Sequence, residues 1–156
     1  MIQIDIPGYK TLKFEHVILD YNGTIAFDGQ LIAGVREALN ELAAQVAVHV
    51  VTADTFGSAR AQLAGVPCTL SILPAGNQTE AKRDYVHSLG AAHTVSIGNG
   101  RNDRLMLQAS TLGIALIQPE GAAVETVNAA DIVSPGIVYA LELLLHPLRL
   151  KATLRS

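Results

Sequence analysis

Tryptophan is missing from this chain, and phenylalanine and tyrosine are so few that aromatics make up only 4% of it. A core of stacked rings is excluded, and the 49% hydrophobic content must pack as Val, Ile, Leu and Ala. Cysteine is nearly absent too. Cys68 alone cannot close an internal disulfide, and no Cys or His cluster has zinc-ligand spacing, so a disulfide scaffold and a structural zinc site are excluded. The simplest setting is a reducing cytoplasm, with Cys68 a small core residue. There is no run of Lys or Arg, and the net charge of −3 with a pI near 5.9 leaves no electrostatic footprint for nucleic acid or an anionic membrane. The N-terminus "MIQIDIPGYK" has neither a basic nor a long apolar stretch. The greasiest segment, "IVYALELLLHPL", is broken by Glu142 and Pro147 well short of the ~20 residues a membrane span needs. Secretion and membrane insertion are not expected.

What is present is alternation. Apolar runs of strand length fall near 16–21, 46–52, 68–73, 94–98, 112–117 and 130–133, and amphipathic helical stretches near 34–44, 56–64, 78–89, 101–109, 121–127 and 135–145. Strand and helix taking turns predicts an α/β fold: a three-layer, doubly wound, Rossmann-like parallel sheet with helices on both faces. No repeat, linker or low-complexity tract divides residues 1–156, so one domain is expected. Pro7-Gly8 suggests a small N-terminal hairpin on the sheet edge. Asp28-Gly29 suggests a second hairpin, a flap over the end of the first strand.

The first strand, "VILD", runs three apolar residues into a carboxylate, Asp20, followed by Asn22-Gly23. Taken alone this is a tight turn next to an acid. Polar residues gather, however, at further strand carboxyl ends, where open α/β sheets place their sites. Thr52 and Asp54 close the second strand, and "GNGRND" with Asn99, Asn102 and Asp103 closes the fourth. Lys82 sits on the helix between them and is expected to face solvent. A carboxylate nucleophile, a hydroxyl, an ammonium and a further carboxylate on one rim suit phosphoryl transfer: the acid attacks phosphorus, and the cation and hydroxyl hold the equatorial oxygens.

At these residues the chain resembles the haloacid dehalogenase-like (HAD) superfamily of phosphatases and phosphotransferases. "DYNGT" (20–24), "TAD" (52–54), Lys82 and "GNGRND" (98–103) look like its four motifs. The pattern is most similar to the P-type ATPase phosphorylation domain (D-K-T-G-T, T-G-D, Lys, G-D-G-x-N-D) and to its soluble relatives. Here Tyr21 and Asn22 stand for K-T, Ala53 for the central Gly, and Asn99 for the first Asp of the last motif.

The resemblance implies a Mg²⁺-dependent phosphatase in which Asp20 becomes an aspartyl phosphate. Catalysis falls to Asp20, Thr52 and Lys82, and phosphate binding to Asn22, Gly23, Thr52, Ala53 and Lys82. The metal is expected on Asp20, on the Asn22 backbone carbonyl and on Asp103, with Asp54, Asn99 and Asn102 behind. About 30 residues separate Asp20 from Thr52, and about 30 Thr52 from Lys82, so neither interval holds a cap domain. An open site suits a phosphorylated small molecule, a phosphoprotein, or completion by a second copy of the chain.

Asn22 stands where most of these phosphatases carry an acid/base Asp, which implies slow hydrolysis. Asn99 removes a charge beside the metal. The rival expectation is a degenerate module of the same fold that binds phosphate or a phosphorylated partner without turnover. None of the five histidines is expected to act in catalysis, and His49 reads as a packed core residue.

Overall fold

The computed structural model describes residues 1–54 and 57–156. In chain order its elements are β1 (Ile2–Asp5), β2 (Thr11–Phe14), β3 (His16–Leu19), β4 (Ala26–Phe27), β5 (Gln30–Leu31), α1 (Val35–Leu42), β6 (Ala47–Thr52), α2 (Ser58–Gln62), β7 (Thr69–Ile72) and α3 (Gln78–Leu89). There follow β8 (Thr94–Gly98), α4 (Arg104–Ala109), β9 (Leu112–Leu116), α5 (Val124–Ala129), β10 (Ile132–Ser134), α6 (Ile137–Leu145) and α7 (Pro147–Leu154). Six strands form one parallel sheet in the order β10-β9-β8-β3-β6-β7. All six correspond to the apolar runs of the sequence. The expected helix start at 56 lies outside the described residues.

Side-chain alternation along each strand divides the core into two faces. Val17 and Leu19 of β3, with Val48 and Val50 of β6 and Ile97 of β8, pack under α1 and α6. Ile18 and Val51 turn to the opposite face and meet Val86 of α3 and Met106 and Leu107 of α4. The central strands are buried on both sides, which is why they read as unbroken apolar runs. Among the described residues no helix is long and apolar enough to cross a membrane.

Two placements differ from expectation. The N-terminal hairpin β1–β2 does not extend the sheet edge; it is a separate antiparallel ribbon. After Glu15 alone, β2 runs into central β3, so the ribbon lies at the amino ends of the strands. There it buries Ile2, Ile4, Leu12 and Phe14. The helix expected near 135–145 is present as α6, and a further helix not expected from the pattern, α7, follows it, because Pro147 has no N–H to continue α6 but suits the first position of a new helix. The flap is present as β4–β5, turned at Asp28 (φ 49°) and Gly29 (φ 79°).

His49 is buried and lies in a polar chain. The Ser71 hydroxyl donates to Tyr85 OH (3.2 Å), which sits 3.0 Å from His49 Nδ1, and His49 Nε2 sits 3.1 Å from His16 Nδ1. Burial first, and the neighbouring His16 second, lower the His49 pKa from 6.5. The folded state therefore holds His49 neutral where the unfolded chain would protonate it. Its contribution is complete above about pH 6.5 and is lost as the pH falls through the lower folded value. Thermal melts between pH 7.5 and 5 should show a smaller acid-induced loss for His49→Gln than for the native chain; equal losses would place the acid sensitivity elsewhere.

Candidate active site

Asp20 follows the last residue of β3, and its backbone N–H still donates to Ile97 O (3.1 Å), so the carboxylate emerges from the middle of the sheet at its carboxyl edge. The chain then turns at once. Tyr21 O accepts from the amides of Thr24, Ile25 and Ala26 (3.0–3.1 Å), and Gly23 takes a left-handed φ of 81°. A side chain at Gly23 would also press on its neighbours: a Cβ there would lie 2.7 Å from Glu120 Oε2 and 2.8–2.9 Å from the Asn99 amide atoms, which would have to shift. Tyr21 OH donates to Gly29 O (2.7 Å), and Asn22 Oδ1 accepts from Gly29 N–H (3.2 Å), which ties the flap to the turn. Gln118 clamps the turn from behind, donating to the Gly23 and Thr24 carbonyls (both 3.0 Å) while accepting from Ile137 N–H (2.8 Å) at the start of α6.

The electrostatic centre is Lys82. Contrary to the expectation of a solvent-facing lysine, it is only 1% exposed, and its ammonium lies 2.7 Å from Asp20 Oδ1 and 2.7 Å from Asp103 Oδ1. Burial opposes its charge, but Asp20 and then Asp103 more than offset that, and the pKa is raised. Asp20 Oδ2 accepts from the Thr24 hydroxyl (3.0 Å). Asp103 is fully buried, and its Oδ2 accepts from the Asn99 and Gly100 amides (3.0 and 2.9 Å). The close fold-back needs Gly98, whose Cβ would sit 2.6 Å from the Asp103 carboxyl carbon. Burial, then the Asp20 charge, push Asp103 up to about 6 against the pull of Lys82 and the Gly100 amide. Two carboxylates around one ammonium leave a surplus of negative charge beside the cleft.

That cleft, of about 260 Å³, is lined by Asp20, Asn22, Thr52 and Lys82, with Ala53, Asp54, Asn99 and Asn102 completing it. Gly23 and Asp103 are not among its lining residues. Asp54 Oδ2 accepts from Ala59 N–H (2.9 Å) at the start of α2. Three further residues at the rim had escaped the sequence reading: Gln78, Gly100 and Glu120. Gln78 opens α3 and accepts from Asn102 Nδ2 (3.0 Å). Glu120 lies just past the carboxyl end of β9, and that position relative to a strand end was the one signal for it.

Among the described residues no group of three or more His, Cys, Asp or Glu side chains is assembled to hold a metal. A cation here would depend on a mixed set of oxygens: the Asp20 carboxylate, the residue 22 carbonyl, the Asn99 amide oxygen and water. Such donors fit a hard divalent ion such as Mg²⁺ and suit neither zinc nor copper.

No family model matches the chain. It is 51% identical to the uncharacterized protein MJ0073 of Methanocaldococcus jannaschii over 62 residues, which span 40% of this chain and 67% of that one. Its fold is similar to that of 3-deoxy-D-manno-octulosonate 8-phosphate phosphatase from Moraxella catarrhalis, solved with magnesium, phosphate and KDO. That similarity has a TM-score of 0.68 and 16% identity over 91% of this chain and 94% of the other. It is also similar to a zinc-transporting PIB-type ATPase, with a TM-score of 0.63 and 22% identity over 79% of this chain and 20% of the pump.

Proposed function

From a chain that belongs to one family with the archaeal protein MJ0073 and is built on the haloacid dehalogenase-like core without a cap domain, we propose a divalent-metal-dependent phosphatase that works through an aspartyl phosphate on Asp20. One observation carries this reading: Asp20 stands at the open end of a central strand, oriented by Lys82 and Thr24 and facing the cleft.

An Asp20 oxygen forms a bond to phosphorus as the bond to the leaving oxygen breaks. Water then attacks the aspartyl phosphate, releasing phosphate and restoring the carboxylate. Lys82 draws charge from the transferring group, and Thr52, at the end of β6, offers its hydroxyl to a phosphoryl oxygen. Asp103 acts from behind, fixing the Lys82 ammonium. Mg²⁺, held by Asp20, the residue 22 carbonyl and Asn99, would offset the charge that keeps a phosphate dianion away from a carboxylate.

The open cleft suits phosphorylated small molecules and leaves room for a phosphorylated protein side chain. A second reading, phosphate binding without turnover, draws on Asn22: its Oδ1 is committed to Gly29, and the amide cannot carry a proton to a leaving group. Hydrolysis of an aryl and an acyl phosphate with and without Mg²⁺ separates the two. Metal-dependent release of phosphate should fall by more than about 10³-fold in Asp20→Asn. Phosphate binding with no release in the native protein would select the second reading.

A further inference from the structure

Among the described residues, no hydrogen bond or ion pair engages the carboxylate of Glu120. It borders two clefts at once: the one holding Asp20, and a neighbouring space of about 370 Å³ bounded also by Asn22, Asp28 and Gly29.

Its place is held by the fold. The Asn99 side-chain amide donates to Gly121 O (3.0 Å), and Ala123 N–H donates to Asn99 O (2.9 Å), so the chain just after Glu120 is pinned to residue 99 at Gly121 and again at Ala123. Gln118, two residues upstream, fastens the same turn to the Gly23 and Thr24 carbonyls. The carboxylate and the Asn99 amide face each other over Gly23, within 3 Å of the point where a side chain would begin.

The charges around the Asp20 cleft show what this carboxylate can do. Asp20 shares its charge with Lys82, both Asp103 oxygens are taken by protein donors, and Asn99 offers an oxygen without charge. Asp54, beyond β6 on the other side of β3, accepts from Ala59 N–H. Of the carboxylates at this cleft, Glu120 alone is uncommitted and on the side of Asn99 and the residue 22 turn. Resting on the reading of a metal-dependent phosphatase, we propose that Glu120 is an anionic ligand of the divalent ion. Asn99 gives up charge but gains the N–H that holds the turn; the turn returns the charge through Glu120. An exposed Glu on three rotatable bonds can swing between solvent and ion, so the ligand closes on the metal as it arrives.

Mn²⁺ titrated into the protein, with the free ion counted by electron paramagnetic resonance and Mg²⁺ added as competitor, tests this without reference to turnover. Glu120→Gln should weaken Mn²⁺ binding by at least ~10-fold, as expected when a ligand loses its charge. Its metal-free melting temperature should be unchanged, since the side chain is exposed and unbonded. Glu125→Gln, which removes another exposed carboxylate, one on α5 that is paired with Arg101 rather than bordering the cleft, should leave Mn²⁺ affinity where it was. The proposal is overturned if Glu120→Gln binds Mn²⁺ as the native chain does, including the case in which turnover alone falls. It is equally overturned if Glu125→Gln weakens binding as much, or if the native chain binds no Mn²⁺. A native protein that binds Mn²⁺ through Glu120 yet hydrolyses no phosphate would uphold the ligand and remove the phosphatase.

Discussion

Lys82→Ala is expected to abolish turnover and also to cost the protein a large part of its stability. An exposed catalytic lysine would affect only the first. Here the ammonium lies between two carboxylates, one of them fully buried, and removing it strands both. Breaking a buried ion pair from one side costs about 3–5 kcal/mol, which for a chain of this size lowers the melting temperature by roughly 10 °C.

The loss has a pH signature. Asp103 is already raised to about 6 by burial and by Asp20, and without Lys82 it is raised further. Folding of the variant then takes up a proton, so the deficit is largest above pH 6 and shrinks as the pH falls. Lys82→Met with Asp103→Asn should recover most of the stability, because it removes charges from both sides and keeps the volume filled. It should recover none of the turnover. A melting temperature unmoved in Lys82→Ala would mean that the ammonium does not sit between the two acids in solution.

Asn22→Asp is expected to speed hydrolysis of an alkyl phosphate by up to ~10²-fold relative to an aryl phosphate. The substitution is conservative where it matters for structure: an Asp oxygen can still accept from Gly29 N–H, so the flap stays tied to the turn. It adds a group able to hold a proton at the mouth of the cleft, beside Asp20. Alkoxides leave poorly unless protonated, whereas aryl and acyl leaving groups depart unaided. The native protein should therefore favour the latter, and the variant should narrow the gap. The check is kcat/KM for both substrates in both proteins. If the ratio of the two substrates does not change while Asp20→Asn silences both, proton transfer at position 22 does not limit the reaction.

The sheet, the flap and the carboxyl-edge position of Asp20, Thr52 and Asn99 were all legible in the order of residues, for a local reason. Strands buried on both faces must be apolar throughout, so the point where "VIL" meets Asp20 marks an edge, and Asp28-Gly29 can hardly be anything but a tight turn. What the residues could not say singly was how deep each charge lies. Lys82 occupies a helix of ordinary polar composition, and its burial depends on acids 62 and 21 positions away. Asp103 reads as a free carboxylate until the fold-back over Gly98 brings the Asn99 and Gly100 amides onto it. Glu120 reads as a loop acid until the Asn99 amide takes hold of the next carbonyl. The ribbon β1–β2 likewise alternates as an edge hairpin would, and the single residue joining it to central β3 sends it to the amino ends of the strands instead. Hydrophobic periodicity reports which faces leave water; the burial of a charge is decided by partners that only the folded chain brings within reach.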